Sequence, residues 1–170
     1  MQQDERAPAE GGSASSARRC VSGPEHRVRA RYCNGFGPMS AETWYLDSSA
    51  LVKTVIEEPE SQALLRWLDG KDRLVACELV RVEAVRAVRG SDPAAVPRAR
   101  QVIATLTLIR LDDVLYDKAA DLEPTALRSL DALHLAAALS LGRELAGVVT
   151  YDQRMADSAI ALGLHVEAPG

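Results

Sequence analysis

The sequence has little of what marks a disulfide-bonded or zinc-binding protein. Its three cysteines, Cys20, Cys33 and Cys77, are odd in number and lack the close pairing of a structural zinc site. Neither a disulfide framework nor a zinc knuckle is therefore indicated. Because unpaired cysteines are typical of reducing compartments, we expect a cytoplasmic protein.

Long hydrophobic runs are also lacking. The run Ala132–Leu141 is interrupted by His134 and Ser140, and it falls well short of the roughly 20 residues that span a bilayer. The first forty residues lack the apolar stretch of about 7–15 residues that a secretory signal requires. We therefore expect a protein that is neither inserted into a membrane nor exported.

An excess of positive charge, the usual mark of a nucleic-acid-binding protein, is absent as well. The net charge is −4, and residues 39–170 carry fourteen Lys and Arg side chains against twenty Asp and Glu. Charge alone therefore argues against a polyanionic ligand, unless a bound metal ion reverses the sign of the pocket.

What the sequence does contain is typical of one globular domain, with 47% hydrophobic and 26% charged residues. Residues 1–38 are rich in Gly, Ser, Ala and Arg without helical or strand periodicity, and we interpret them as a disordered or non-native N-terminal extension. Met39 stands before the first patterned segment and is a candidate start. The folded domain is predicted over residues 39–170.

After Met39, short apolar runs alternate with helical periodicities, which is typical of βαβ units around a parallel sheet. Strands are predicted at Trp44–Leu46, Leu74–Ala76, Leu108–Leu111, Gly147–Thr150 and Leu164–Val166. Helices are predicted at Ser49–Glu57, Glu60–Leu68, Glu78–Arg89, Pro93–Leu106, Val114–Leu122, Leu130–Leu141 and Met155–Leu162. This pattern predicts a three-layer α/β/α sandwich with a central, mostly parallel sheet, whose functional groups gather beyond the carboxyl ends of the strands.

Four acidic residues stand out. Asp47 directly follows the first predicted strand, and Asp152 follows the fourth after Tyr151. Glu83 and Asp131 each interrupt an apolar stretch of a predicted helix. Each also has a simpler interpretation. Asp47 and Asp152 suit helix N-caps, Asp131 suits a charge at a helix N-terminus, and Glu83 suits a solvated partner of Arg86.

Taken together, the four acids indicate a metal site. Carboxylates brought into one cleft repel each other and raise each other's pKa unless a cation holds them. Carboxylate oxygens without His or Cys suit Mg²⁺ or Mn²⁺ better than zinc. Such an ion would also bind phosphate and lower the pKa of a bound water, which supplies a nucleophile for phosphodiester hydrolysis.

Four segments, in order, resemble the signature motifs of the PIN-domain family. They are YLDSSALVK at 45–53, VEAVRA at 82–87, DALHLAAA at 131–138, and TYDQRM at 150–155 followed by GLHV at 163–166. The resemblance covers nearly all of residues 44–170 and implies a PIN-like fold with an acidic pocket for Mg²⁺ or Mn²⁺ that cleaves RNA endonucleolytically. It implies a catalytic and metal-binding quartet of Asp47, Glu83, Asp131 and Asp152. It also makes Ser48 and Thr150 hydroxyls that orient a carboxylate or a metal-bound water.

Chain length and motif spacing resemble the VapC-type toxins of type II toxin–antitoxin systems. This resemblance implies an RNA substrate, a cognate antitoxin that lies along the cleft, and a homodimeric assembly. Two interpretations stay open for five apolar residues on the early predicted helices, which suit either a groove for a partner helix or simply the core. These residues are Leu51, Val52, Val55, Leu64 and Leu65.

Rival families fit less well. A phosphotransfer receiver would need paired acids after the first strand and a lysine after a late strand, whereas Leu46 precedes Asp47 and Thr150 lacks a lysine neighbour. A haloacid-dehalogenase-like phosphatase would need an aspartate where Ser49 stands. The alternative from another class is a non-catalytic PIN-like module that binds RNA or a partner. His134, a lone histidine on an apolar helix, is interpreted as a hydrogen-bonded core residue.

Overall fold

The computed structural model describes residues 42–125 and 127–170, so the predicted extension over residues 1–38 and the candidate start at Met39 lie outside the described residues. The described chain forms five strands, namely β1 (Thr43–Leu46), β2 (Arg73–Cys77), β3 (Thr107–Ile109), β4 (Leu145–Val149) and β5 (Val166–Glu167). Its α-helices are α1 (Ser48–Val55), α2 (Ser61–Asp69), α3 (Val80–Val88), α4 (Ala95–Ala104), α5 (Asp113–Ala120), α6 (Ser129–Leu139) and α7 (Gln153–Ala161), with a 3₁₀ turn at Gly142–Glu144. None of these helices is long and apolar enough to cross a membrane.

The five strands form one parallel sheet in the order β3-β2-β1-β4-β5. The chain builds outward from β1 to β2 and β3, then returns to the other side of β1 to add β4 and β5. The strand order therefore reverses between β1 and β4, and the crevice beyond their carboxyl ends is where open sheets of this kind bind ligands. The predicted α/β/α sandwich with a parallel sheet is confirmed.

Both faces of the sheet are covered, which is why β1 is buried along its whole length. Side chains alternate between the faces of a strand. Tyr45 packs in the core formed with α5, α6 and α7, whereas Trp44 and Leu46 pack in the core formed with α1, α2 and α3. Among the residues that the structure describes, the sheet thus lies between two helical layers, and a side chain that joins the layers has to pass an edge of the sheet.

Most predicted boundaries differ from the structure by one or two residues, and two of the differences have a local reason. The helix predicted from Pro93 begins at Ala95, and it carries Pro97 in its first turn, where backbone N–H groups have no partner within the helix. The strand predicted from Leu164 begins at Val166 instead. Leu164 N donates to Ala159 O and Gly163 N to Ile160 O, both at 2.9 Å, which is a Schellman cap around Gly163 with φ 78°.

The five early apolar residues divide between the two interpretations. Leu51, Val55 and Leu64 are at most 7% exposed and belong to the core, so they cannot line a groove. Leu65 is 40% exposed, and Val52 is half-buried against the core. A groove made of all five residues is therefore wrong.

We expect Gly147→Ala to destabilise the protein by about 1–3 kcal/mol, the usual cost of overpacking a core. A Cβ at this position in β4 would lie 2.7 Å from Trp44 Cζ3 and 2.9 Å from the His165 carbonyl oxygen. The control is Gly90→Ala, whose Cβ would meet no atom within 4 Å. Urea unfolding measures both variants, and equal stabilities would contradict this account of the β1–β4 contact.

Candidate active site

Two aspartates lie beyond the carboxyl ends of the neighbouring strands β1 and β4, and each begins a helix. Asp47 caps α1 by accepting from Ser49 N at 3.2 Å through Oδ2. Asp152 caps α7 through Oδ1, which accepts from Arg154 N at 2.9 Å and Met155 N at 3.3 Å. The N-cap interpretation is therefore confirmed. A capping aspartate can also belong to a ligand-binding site, because each cap uses only one of the two carboxylate oxygens.

Asp47 is only 6% exposed, and hydroxyl groups hold it in place. Its Oδ2 accepts from Ser49 Oγ at 2.7 Å and from Thr150 Oγ1 at 3.0 Å. Its Oδ1 lies 3.9 Å from His134 Nε2. Thr150 thus makes the kind of contact that the sequence predicted for it. Ser49 was missed, although a hydroxyl two residues after a capping aspartate is a recognisable pattern.

Glu83 projects from α3 toward the same edge, with a side chain that is 26% exposed. Its Oε2 accepts from Ser48 Oγ at 2.7 Å and lies 2.6 Å from His134 Nε2. The hydrogen bond with His134, assisted by the one from Ser48 and against the effect of burial, lowers the pKa of Glu83. Glu83 is therefore an ionised acceptor held by two donors, not the solvated partner of Arg86 that the sequence also allowed.

His134 lies inside this cluster, a position that the sequence did not indicate. Its ring is 2% exposed and its Nδ1 lies 2.8 Å from Tyr45 Oη, so the interpretation as a hydrogen-bonded buried residue is confirmed. Burial works to lower the pKa of His134, but contacts with Cys77 and Glu83 and the charge of Asp47 outweigh it. The pKa is raised to about 10.

Asp131 shares one face of α6 with His134, since residues three apart are neighbours on a helix. Burial, followed by the charges of Asp152 and Asp47, raises the pKa of Asp131. Burial also acts to raise the pKa of Asp152, but hydrogen bonds from Met155 N and from Arg154 prevail, and the pKa is lowered. The three aspartates are thus close enough to interact electrostatically.

The donor chemistry of the cluster fits a hard divalent cation. Its candidate ligands are carboxylate oxygens, and a cation would relieve the repulsion that, after burial, raises the pKa of Asp131. In the described part of the chain, however, no three His, Cys, Asp or Glu side chains converge as a ready ligand set. Asp47 and Glu83 both lie near His134 Nε2, whereas Asp131 and Asp152 make no direct hydrogen bond with either of them in the described residues. The metal-binding and catalytic roles of the quartet stay predictions.

Comparison with known proteins identifies relatives for most of the chain. A family model described as PIN domain matches residues 44–160. Ribonuclease VapC46 from Mycobacterium tuberculosis strain H37Rv is 46% identical over 125 residues, covering 74% of this chain and 96% of that protein. Ribonuclease VapC35 from the same strain is 44% identical over 130 residues, with the same two coverages.

A solved structure shares the fold. The crystal structure of Mycobacterium tuberculosis VapC20, described as a Sarcin-Ricin loop cleaving toxin, aligns with a TM-score of 0.61 and 14% sequence identity. The alignment covers 75% of this chain and 99% of that chain. At this identity the likeness concerns the architecture, and it agrees with the sheet described above.

We expect the free energy of unfolding of the metal-free protein to fall as the pH rises above about 6.5, the pKa of His in an unfolded chain. The pKa of His134 is about 10 in the folded protein, so above pH 6.5 the native state keeps a proton that the unfolded state has released. The stability from this proton is full below pH 6.5 and is lost progressively up to the folded pKa, at no more than about 1.4 kcal/mol per pH unit.

Urea unfolding between pH 6 and 9 in the presence of EDTA measures this dependence. His134→Gln has no titrating ring and should give a flatter profile over the same range. Parallel profiles for the two proteins would show that the His134 proton does not contribute.

Proposed function

Because this chain belongs to the PIN-domain family, and within it to the VapC group, we propose that it is a Mg²⁺- or Mn²⁺-dependent endoribonuclease that acts in the cytoplasm as the toxin of a toxin–antitoxin pair. The observation that supports this most directly is the electrostatic interaction of Asp131 with Asp152 and Asp47. These residues come from three different parts of the chain. Burial first, and then the charges of Asp152 and Asp47, raise the pKa of Asp131, and the charges of Arg154 and His134 offset this only in part. A cluster of carboxylates of this kind suits a divalent cation.

Asp47, Asp131 and Asp152 would hold the ion, with Glu83 beside them. The ion supplies positive charge for a backbone phosphate and acidifies a bound water. The protein's own part is to fix the oxygens. Ser49 and Thr150 occupy Oδ2 of Asp47 and leave Oδ1 for other partners. Glu83 stays ionised and accepts hydrogen bonds at the edge of the cluster.

The surroundings of Asp152 suit an RNA strand. Arg154, with a side chain that is 56% exposed, lies 3.5 Å from the Asp152 carboxylate. A guanidinium in this position can bind a phosphate oxygen while the cation offsets the negative charge of the cluster. The acidic composition of the domain is therefore compatible with a polyanionic substrate.

We expect the full-length protein to cleave RNA only when Mg²⁺ or Mn²⁺ is present, and Asp131→Asn to slow cleavage roughly 100-fold or more. Loss of an outer partner of a metal ligand already costs about 10–100-fold. The midpoint of thermal unfolding should stay equal or rise, because the substitution removes a charge that its neighbours repel. Asp113→Asn is the matched control, since Asp113 occupies the first turn of α5 as Asp131 does that of α6.

Cleavage of a labelled RNA is followed with each ion and with excess EDTA. Undiminished cleavage in EDTA would contradict the metal dependence. Equal cleavage by Asp131→Asn and Asp113→Asn would contradict the site. If wild-type protein binds RNA with each ion present but does not cut it, the alternative of a PIN-like binding module is correct.

The acidic cluster also suggests how the antitoxin acts. We expect it to place a basic side chain, Arg rather than Lys, among Asp47, Asp131 and Asp152. The planar guanidinium binds a carboxylate bidentately and stays charged at any working pH. The same family premise implies a homodimer, which light scattering would test.

Inhibition by the antitoxin should therefore weaken as Mg²⁺ or Mn²⁺ concentration rises, since the cation and the basic side chain compete for the same carboxylates. Replacing that side chain by alanine should restore cleavage even where the complex still forms. Cleavage rates are measured at several ion concentrations with a fixed amount of antitoxin. Inhibition indifferent to both changes would mean that the antitoxin blocks the path of the RNA instead.

A further inference from the structure

The two helical layers of the protein are joined at the candidate site by one buried ring. His134 belongs to α6, whose side chains pack in the core with α5 and α7. Glu83 belongs to α3, which packs in the core on the other face of the sheet. The 2.6 Å contact between His134 Nε2 and Glu83 Oε2 therefore reaches from one layer to the other beyond the carboxyl end of the sheet.

The other side of the ring is fixed by the neighbouring strands β1 and β2. His134 Nδ1 lies 2.8 Å from Tyr45 Oη and 3.5 Å from Cys77 Sγ. Tyr45 Oη in turn accepts from Cys77 N at 3.2 Å. Tyr45 and Cys77 are fully buried in β1 and β2. The direction in which Nε2 points is thus set by two fully buried residues of the sheet.

Glu83 depends on the His134 donor to keep its orientation more than a fully buried side chain would. Its side chain is 26% exposed, so without fixed partners it could turn into solvent. His134 and Ser48 both hold Oε2, which leaves Oε1 for a ligand of the site. A hydrogen bond to a charged group is shorter and stronger than a neutral one, and 2.6 Å is consistent with that class.

We propose that His134 is a positioning residue that orients the Glu83 carboxylate for binding of the divalent cation, by donating a hydrogen bond from Nε2 along a direction set by Tyr45 and Cys77. The inference rests on the proposed function for its metal and its reaction. It assigns no contact with substrate to His134. A positioning role differs from a structural one because cation binding then depends on where the Nε2 donor lies, not on how the ring packs.

Two conservative substitutions separate these roles. Glutamine carries its amide nitrogen one bond farther from the backbone than asparagine does. His134→Gln can therefore place a donor near the Nε2 position, whereas His134→Asn keeps a polar group only near Nδ1. His165→Asn is the control, since it disrupts a His–carboxylate contact elsewhere, between His165 Nε2 and Glu167 Oε1 at 3.0 Å, with a side chain that is 58% exposed.

The primary readout is Mn²⁺ affinity of the full-length protein without RNA, measured by titration calorimetry, with RNA cleavage and thermal unfolding measured alongside. We expect His134→Asn to weaken Mn²⁺ binding about 10–100-fold, as the loss of an outer partner does. His134→Gln and the His165→Asn control should stay close to wild type. An unchanged affinity in His134→Asn, or equal losses in the Gln and Asn variants while both remain folded, would overturn the proposal.

A double-mutant cycle with Glu83→Gln tests whether His134 affects Mn²⁺ binding through Glu83. If His134 acts through Glu83, adding His134→Asn to Glu83→Gln should lower Mn²⁺ affinity little further. Fully additive losses would overturn the proposal. Should His134→Asn fail to fold, Tyr45→Phe removes the hydroxyl that fixes Nδ1, and it should weaken Mn²⁺ binding in Glu83-containing protein but not in Glu83→Gln.

The two hypotheses fail in different ways. Wild-type protein that binds Mn²⁺ but does not cut RNA would contradict the proposed function and leave the Mn²⁺ affinities as a valid test of His134. If His134→Asn binds Mn²⁺ and cuts RNA as well as the wild-type protein does, the positioning role alone would be overturned. Wild-type protein that binds neither Mn²⁺ nor Mg²⁺ would overturn both.

Discussion

The mutual repulsion of carboxylates gathered at one edge of the sheet is the constraint on which the site depends. Each acid is stabilised by a different means. Hydroxyl groups hold Asp47, the His134 ring holds Glu83, and the backbone at the start of α7 holds Asp152. For Asp131, burial and then the charges of Asp152 and Asp47 raise the pKa. The divalent cation that we propose would relieve this repulsion and would let an acidic pocket accept a phosphodiester.

The fold creates this crowding because the strand order reverses between β1 and β4. Strands that run parallel end at the same edge, so the loops after them converge there. Helices from both faces then contribute Glu83 and Asp131 to the same crevice. Since the sheet lies between the two layers, the contact between Glu83 and His134 beyond its edge links them at the point where the chemistry is proposed.

Sequence reasoning reached the architecture and the acidic residues because both follow from local patterns. Alternating apolar runs and helical periodicities predicted the parallel sheet, and the position of Asp47 and Asp152 after strands predicted their shared edge. The late start of β5 was missed because the Schellman cap around Gly163 depends on backbone hydrogen bonds that composition does not reveal. The place of His134 was missed for another reason. Its partners Tyr45, Cys77 and Glu83 are 89, 57 and 51 residues away in sequence, and only the tertiary structure joins them.

The central claim is that this acidic edge cuts RNA, and sequencing of RNA 5′ ends in cells tests it most directly. After brief expression of the full-length protein, new 5′ ends should accumulate at a limited set of sites. They should be absent after equal expression of Asp47→Asn, since an asparagine can keep much of the cap of α1 while losing a charged ligand. Identical 5′-end profiles for wild type and variant, with both proteins folded and equally abundant, would contradict the account.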